Sequence, residues 1–136
     1  MSFRFSTQQK VRWVDIDAGC VLNHAVYLSL VEQARYEYFD QLGLLEGSAD
    51  FSFLLGETTA RYLSVGRAGM VLTVRLRTTH LGNKSLEQEY EIADGDTLLS
   101  IITAKLVWCN SDLSSSPIPD RARAKMAAFD EIPERS

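Results

Sequence analysis

Residues 15–27, Asp-Ile-Asp-Ala-Gly-Cys-Val-Leu-Asn-His-Ala-Val-Tyr, bring together the side chains of this chain that are best suited to chemistry. The carboxylates of Asp15 and Asp17 precede Asn23 and His24, which stand at the approach to an apolar helical pattern. The first N–H groups of a helix have no partner within it, so they can bind an oxygen that gains negative charge during a reaction. A carboxylate close to such donors can act on the carbonyl whose oxygen they hold. The segment therefore predicts acyl transfer or acyl hydrolysis.

A long helix is predicted directly after this segment. Asn23 is a suitable N-cap and Gly43 a suitable residue to end the helix. Between them apolar residues recur at helical spacing, at Tyr27, Leu30, Val31, Ala34, Tyr38 and Leu42. A helix of about 19 residues would be roughly 28 Å long. Because Val26, Leu28 and Phe39 widen its apolar surface, we expect other elements to wrap around it.

Strands are predicted on both sides of this helix. Phe3 to Trp13 reads as an opening strand, irregular around residues 6–9. After the helix, apolar and polar residues alternate, which predicts strands at about 58–63, 71–77, 86–92 and 98–107. Gly82-Asn83 and Asp94-Gly95 predict hairpin turns. Pro117 and Pro119 end the strands, and Asp120 can cap a short helix over about 121–129.

These elements pack most economically as an antiparallel sheet curled around the long helix. The predicted fold is therefore α+β: a hotdog fold, in which one long central helix is wrapped by a five-stranded antiparallel sheet. The 136 residues predict a single domain. An edge strand and a helix end would stay exposed, so we expect a homodimer or homotetramer with its site between subunits.

The composition excludes some partners and compartments. A net charge of −4 offers no basic face for nucleic acid. No apolar run is long enough to span a membrane, and the N-terminus lacks the apolar stretch of a signal peptide, so a cytoplasmic location is expected. Cys20 and Cys109 are too few for a disulfide framework or a zinc site, and both are expected to be reduced.

The segment resembles the 4-hydroxybenzoyl-CoA thioesterase-like family of hotdog acyl-CoA thioesterases. The family motif is aromatic-x-Asp-x-Asp-x-Gly-x-Val-x-x-His-x-x-Tyr, followed by Glu-x-Ala-Arg on the helix and Leu-Gly at its end. In this chain the motif falls on Trp13, Asp15, Asp17, Gly19, Val21, His24, Tyr27, Glu32, Ala34, Arg35, Leu42 and Gly43. The resemblance weakens after residue 45.

The resemblance implies hydrolysis of an acyl-CoA to free CoA and a carboxylic acid. It assigns the catalytic carboxylate to Asp17 and the backbone N–H that polarises the thioester carbonyl to His24. Asp17 would act as a nucleophile or as a general base, and the residues leave both routes open. No cofactor is implied, because CoA is part of the substrate.

The CoA phosphates need cations. Arg61, Arg67 and Lys84 are the candidates near predicted strand ends and turns, and Gly82 and Ser85 could add backbone or hydroxyl contacts. Alternatively, each of these three cations lies on the surface in contact with solvent and binds no phosphate.

Several other interpretations stay open at this stage. Asp15 could take a direct part in the reaction, or it could serve only to order the loop or to pair with a base, and His80 could be structural. Cys20 could be a nucleophile, but the sequence places no His–Asp pair to activate its thiol. We therefore interpret Cys20 as a small residue that only fills space in the loop. Asp15, Asp17 and His24 fit no specific metal pattern, so no metal site is predicted. A hotdog acyl-CoA hydratase and a non-catalytic acyl-CoA-binding protein are the alternative functions.

Overall fold

The alternating residues after the long helix form a regular antiparallel sheet in the computed structural model, which describes residues 2–45 and 52–133. Its five strands are β1 (Phe5–Lys10), β2 (Phe53–Tyr62), β3 (Val71–Leu81), β4 (Ser85–Asp94) and β5 (Thr97–Trp108). They lie in the order β1-β3-β4-β5-β2, and every neighbouring pair is antiparallel. The alternation predicted for β4 is confirmed, because Leu86, Gln88, Tyr90 and Ile92 are all buried.

The long helix is α1 (Val26–Gln41), and it packs against β1 and β3. Every residue of the predicted apolar stripe is buried, whereas Leu28 is exposed. The helix ends as predicted, because Gly43 adopts a φ of 72°. The Gly43 N–H donates to the Asp40 carbonyl at 2.9 Å and the Leu44 N–H to the Phe39 carbonyl at 3.0 Å, which satisfies two terminal carbonyls.

The start of α1 differs from the prediction. Asn23 does not cap the helix directly, since Ala25 occupies the N-cap position. The Asn23 side chain instead accepts the Ala25 N–H at 3.0 Å, which forms a local turn ahead of the helix. Asn and Asp make both kinds of bond, and spacing alone does not distinguish them.

Other boundaries also differ from the predicted ones. β1 ends at Lys10 and is regular over residues 6–9, because it pairs with β3 without a break. Trp13–Asp15 form a 3₁₀ turn. β2 begins earlier than predicted, at Phe53. The second helix, α2 (Asp120–Asp130), has Pro119 at its N-cap position, so the predicted capping role of Asp120 is not observed.

The register defines two ends of the sheet that matter for the site. Tyr62 pairs with Ser100 at one end, and Phe53 pairs with Trp108 at the other. The hairpin between β3 and β4 lies at the Phe53 end, where Leu81 pairs with Leu86 and Ser85 with Val107. A strand as long as β2 separates the two ends by about 30 Å. Groups at opposite ends therefore cannot contact the same small group within one chain.

A chain of polar side chains crosses the core. Arg35 of α1 donates to the Tyr90 hydroxyl at 2.8 Å, and Tyr90 donates to Gln88. The Gln88 amide donates to Thr78 Oγ1 at 3.2 Å, and Thr78 Oγ1 is 2.8 Å from the Tyr38 hydroxyl. Buried polar groups need such partners, so this network ties α1 to the sheet.

Candidate active site

The segment that carries Asp17 folds into a short hairpin ahead of α1. Ile16 pairs with Leu22 in an antiparallel bridge. The Asn23 N–H donates to the Asp15 carbonyl and the Asp17 N–H to the Val21 carbonyl, both at 2.9 Å. The hairpin thus links the Asp17 turn directly to the residues that precede the helix.

Asp17 begins the tight turn at the tip of this hairpin. The Cys20 N–H donates to the Asp17 carbonyl at 3.0 Å, and Asp17 Oδ1 accepts the Gly19 N–H at 2.8 Å. A Cβ at Gly19 would lie 3.2 Å from Asp17 Oδ1, so a side chain there would crowd the carboxylate. The side chain of Asp17 is half-buried. Its second oxygen, Oδ2, accepts no hydrogen bond from the described residues and is available to a ligand.

Asp15 has a structural environment that differs from that of Asp17. It is buried, and it accepts the Arg12 N–H at 2.9 Å, Nε at 3.2 Å and Nη2 at 3.0 Å. Burial opposes ionisation of Asp15, but the hydrogen bonds and the charge of Arg12 outweigh it and hold the carboxyl pKa below its ordinary value. The geometry supports the structural role considered for Asp15, because its carboxylate pairs with Arg12 and so orders the loop.

His24 presents a backbone donor at the start of α1. Within residues 2–45 and 52–133, no protein group accepts the His24 N–H. The carbonyl of the same peptide, that of Asn23, accepts the Val26 N–H at 2.9 Å. Because a trans peptide is planar, its N–H points opposite to this carbonyl and so away from the helix. The helix dipole adds positive potential at this point. The His24 side chain is exposed.

Tyr62, at the end of β2, also contacts this turn. Its hydroxyl donates to the His24 carbonyl at 2.9 Å, and its ring packs edge-on against Tyr27 with centroids 5.1 Å apart. The sequence reasoning missed Tyr62 because it stands 38 residues from His24 and on a different element. The two residues meet because the last residue of β2 lies against the turn that precedes α1.

The candidate CoA contacts fall at the two ends of the sheet. Arg61 immediately precedes Tyr62, and Arg67 follows Gly66, whose carbonyl accepts the Leu22 N–H at 2.9 Å. Both arginines are exposed near the Asp17 hairpin. Lys84 and Ser85 lie in the β3–β4 hairpin at the opposite end. The structure therefore separates the five predicted contacts into two groups.

The β3–β4 hairpin borders a cavity of about 640 Å³, lined by residues that include His80, Asn83 and Arg123. Gly82 is fully engaged there, because its N–H donates to the Ser85 carbonyl and its carbonyl accepts Arg123 Nη2, both at 2.7 Å. Lys84 is exposed, and in the described part of the chain it pairs with no carboxylate. Of the three contacts predicted at this hairpin, the Lys84 ammonium and the Ser85 hydroxyl stay available to a ligand.

The two cysteines differ in exposure. Cys20 is exposed, with a φ of 65°, and Cys109 is buried, and neither is in a disulfide. Among the described residues, no three His, Cys, Asp or Glu side chains are grouped so that they could hold a metal ion. No helix in the same residues is both long and apolar enough to cross a membrane.

The edge strand β2 exposes apolar side chains. Leu54, Leu55 and Tyr62 are 46–52% exposed on the strand, and Leu63 and Val65 are 48% and 46% exposed directly after it. Among the strands of residues 2–45 and 52–133, β2 has a partner, β5, on only one side. An unpaired edge with apolar side chains is typical of an interaction surface.

Comparison with known proteins identifies the family to which this chain is similar. A model of the Thioesterase-like superfamily matches residues 11–126. The acyl-CoA thioester hydrolase YbgC of Escherichia coli is 27% identical over 113 residues, which cover 79% of this chain and 83% of that protein. An acyl-acyl carrier protein thioesterase of Arabidopsis thaliana, ATL3, is 25% identical over 95% of this chain and 70% of its own length.

Solved structures have the same fold. The crystal structure of a Thermus thermophilus thioesterase complexed with coenzyme A and zinc matches with a TM-score of 0.86. It is 28% identical, and the match covers 97% of this chain and 98% of that one. These comparisons confirm the predicted hotdog arrangement of one long helix and five antiparallel strands.

Proposed function

The chain belongs to the Thioesterase-like superfamily, and on that basis we propose that it hydrolyses acyl-CoA thioesters to free CoA and a carboxylic acid. The observation that carries the proposal is the His24 N–H in the turn directly before α1, which no group in the described part of the chain accepts, next to the hairpin that presents Asp17. The YbgC and Thermus thermophilus relatives support acyl-CoA as the substrate class.

In the proposed reaction the thioester carbonyl oxygen binds the His24 N–H. Negative charge grows on this oxygen as the carbonyl carbon becomes tetrahedral, and the donor and the helix dipole stabilise it. Removal of one such donor typically costs about 10²–10³ in rate. The position of the His24 peptide should therefore matter as much as the catalytic carboxylate.

Asp17 has two possible roles in this scheme. As a general base, its carboxylate takes a proton from water, the hydroxide equivalent attacks the carbonyl carbon, and the CoA thiolate leaves. As a nucleophile, it attacks the carbonyl carbon and the C–S bond breaks, so that the CoA thiolate leaves and a mixed anhydride remains, which water then cleaves to the carboxylic acid and free Asp17. A single turnover in H₂¹⁸O can distinguish the two routes. If water cleaves the anhydride at the Asp17 carbonyl, ¹⁸O enters the Asp17 carboxylate. The general-base route leaves this carboxylate unlabelled. Neither route calls for a resident cofactor, and we propose that none is used.

The predicted CoA contacts of one chain lie at opposite ends of the sheet, with Arg61 and Arg67 at one end and Lys84 and Ser85 at the other. We propose that two chains pair through their β2 edges about a two-fold axis, as the apolar side chains there favour. Antiparallel pairing of β2 with its copy places the Phe53 end of one chain beside the Tyr62 end of the other. The partner's β3–β4 hairpin, with its Lys84 and Ser85, then comes to the same end of the joined sheet as Asp17, Arg61 and Arg67. Such dimers can pair further into a homotetramer.

The test is thiol release from a panel of acyl-CoA thioesters by the purified wild-type protein. The panel includes short, long and aromatic acyl groups, and one acyl-acyl carrier protein, since that substrate class appears among the Arabidopsis relatives. Free CoA together with the matching carboxylic acid supports the proposal. Hydration of an enoyl-CoA without thiol release would instead indicate a hydratase, and binding of acyl-CoA without turnover a non-catalytic protein.

A further inference from the structure

The ring and hydroxyl of Tyr62 contact the turn that precedes α1 in two distinct ways. The ring lies edge-on to His24, with centroids 6.3 Å apart, and edge-on to Tyr27 at 5.1 Å. The hydroxyl donates to the His24 carbonyl at 2.9 Å. The ring contacts contribute packing, whereas the hydrogen bond from the hydroxyl restrains the orientation of the peptide that carries the His24 carbonyl.

That peptide joins His24 to Ala25, and it is held at both of its polar atoms. Its carbonyl accepts the Tyr62 hydroxyl, and its N–H donates to Asn23 Oδ1 at 3.0 Å. Because the peptide unit is planar, two bonds on opposite sides fix its rotation. The adjacent peptide, which carries the His24 N–H, is fixed by the bond from the Val26 N–H to the Asn23 carbonyl.

The His24 N–H therefore belongs to one anchored peptide and adjoins a second, His24–Ala25, and Tyr62 is the anchor of that second peptide that comes from outside the turn. The bonds from Asn23 and Val26 are local and can move with the turn as a unit. The Tyr62 bond ties the turn to β2, whose end is held to β5 by the Leu63 N–H, which donates to the Leu99 carbonyl at 2.8 Å. The Tyr62 bond thus fixes the orientation of the His24 N–H relative to the sheet.

We infer that Tyr62 is a positioning residue for the oxyanion donor: its hydroxyl orients the His24–Ala25 peptide and so aims the His24 N–H at the substrate carbonyl. This inference rests on the proposed thioesterase reaction. An oxyanion contact strengthens in the transition state, so loss of its alignment lowers kcat and leaves KM nearly unchanged. A displacement of about 1 Å in such a site can cost about 10²-fold.

Tyr62→Phe is the direct test, because it removes the hydroxyl and keeps the ring that packs on Tyr27. We expect kcat for an acyl-CoA to fall about tenfold, with KM within about twofold of wild type and an unchanged thermal midpoint. Tyr36→Phe is the matched control, since Tyr36 is 58% exposed on α1, away from this turn. It should leave both constants unchanged.

Amide hydrogen exchange supplies a readout that needs no turnover. The Ala25 N–H belongs to the anchored peptide, so its exchange should be at least about threefold faster in Tyr62→Phe and unchanged in Tyr36→Phe. Wild-type kcat in Tyr62→Phe, or a raised KM with unchanged kcat, would overturn the positioning role. Unchanged exchange at Ala25 would overturn it as well. Absence of thiol release by the wild-type protein would instead overturn the proposed function, so the two failures are distinguishable.

Discussion

Arg12 and Asp15 form a salt bridge next to the hairpin that carries Asp17. The guanidinium meets both carboxylate oxygens, at 3.2 Å from Nε to Oδ2 and 3.0 Å from Nη2 to Oδ1, and the Arg12 N–H adds a bond of 2.9 Å. Asp15 is 4% exposed, so these three donors satisfy a carboxylate that has little access to water. The backbone of Asp15 then accepts the Asn23 N–H, which closes the hairpin that carries Asp17.

Asp15→Asn should lower the free energy of unfolding by about 1 kcal/mol at pH 7, a modest value because the Arg12 side chain is 73% exposed. The folded pKa of Asp15 lies below its ordinary value of 3.8, so its stabilising effect is present above that value and is lost as the pH falls through the folded pKa. Urea unfolding at pH 7 and at pH 2–3 measures this. Asp96→Asn, in the exposed β4–β5 turn, is the control. A difference between wild type and Asp15→Asn that persists undiminished at acid pH would contradict this prediction.

Asp130 should show the opposite pH dependence. It is buried at the end of α2, where Oδ2 accepts the Tyr38 hydroxyl at 2.5 Å and the Thr78 N–H at 3.0 Å. Burial raises its pKa, although both of these bonds and the charges of Arg4 and Arg77 act in the other direction. The folded protein therefore holds the proton more tightly than the unfolded chain does.

It follows that the contribution of Asp130 to stability is greatest below pH 3.8 and is lost as the pH rises through the raised folded pKa. Asp130→Asn keeps an oxygen for both donors but cannot ionise. Wild type should thus lose stability relative to Asp130→Asn as the pH rises from 3 to 7, measured by urea unfolding at each pH. A gain of wild-type stability relative to this variant over the same range would show that the sign is wrong.

The sequence predicted the secondary structure and the motif residues, but not the contacts between distant elements. The fold followed from periodicity, because the helical stripe from Tyr27 to Leu42 and the alternation of β4 report burial directly. The motif placed Asp17 and His24 next to the helix start. Spacing does not report contacts between distant elements, so it missed the Tyr62 hydroxyl on His24 and the polar network that reaches Asp130. It also grouped Lys84 with Arg67, although the sheet register separates them.

Charge reversal should locate the CoA phosphates. Arg67→Glu and Lys84→Glu should each raise KM for an acyl-CoA at least about tenfold and leave kcat nearly unchanged, because these contacts are made equally in the ground and transition states. A truncated pantetheine thioester lacks the phosphates and serves as the control substrate, for which KM should not change. Equal KM values for wild type and both variants on acyl-CoA would show that these charges are solvated surface.

Mixed dimers should show that Lys84 acts on the partner's site. Asp17→Asn is expected to have a much lower kcat, and Lys84→Glu a high KM. A dimer of one chain of each contains one site with an intact Asp17 and an intact Lys84 from the other chain. Mixing the two variants under exchange conditions should therefore restore activity with the wild-type KM. Activity that keeps the high KM after mixing would show that Lys84 does not serve the partner's site.

The protein should have the mass of at least two chains by light scattering. Leu55 is 52% exposed on the edge strand β2, and Leu55→Lys should shift the mass toward one chain because a charge is costly within a paired apolar edge. Leu113→Lys changes a leucine that is 60% exposed outside the strands and should leave the mass unchanged. A wild-type protein that stays a fully active monomer on dilution would overturn both the assembly and the shared site.

The most direct test of the proposed mechanism is the rate of thiol release by Asp17→Asn compared with wild type on the preferred acyl-CoA. This substitution retains the size of the side chain and an oxygen for the Gly19 N–H, so circular dichroism and the thermal midpoint should be unchanged. In the proposed mechanism the Asp17 carboxylate either attacks the thioester carbonyl carbon or activates water. We therefore predict that kcat falls by about 10²-fold or more while the fold stays intact. A folded Asp17→Asn protein with near-wild-type kcat would contradict the central claim that this carboxylate carries the reaction.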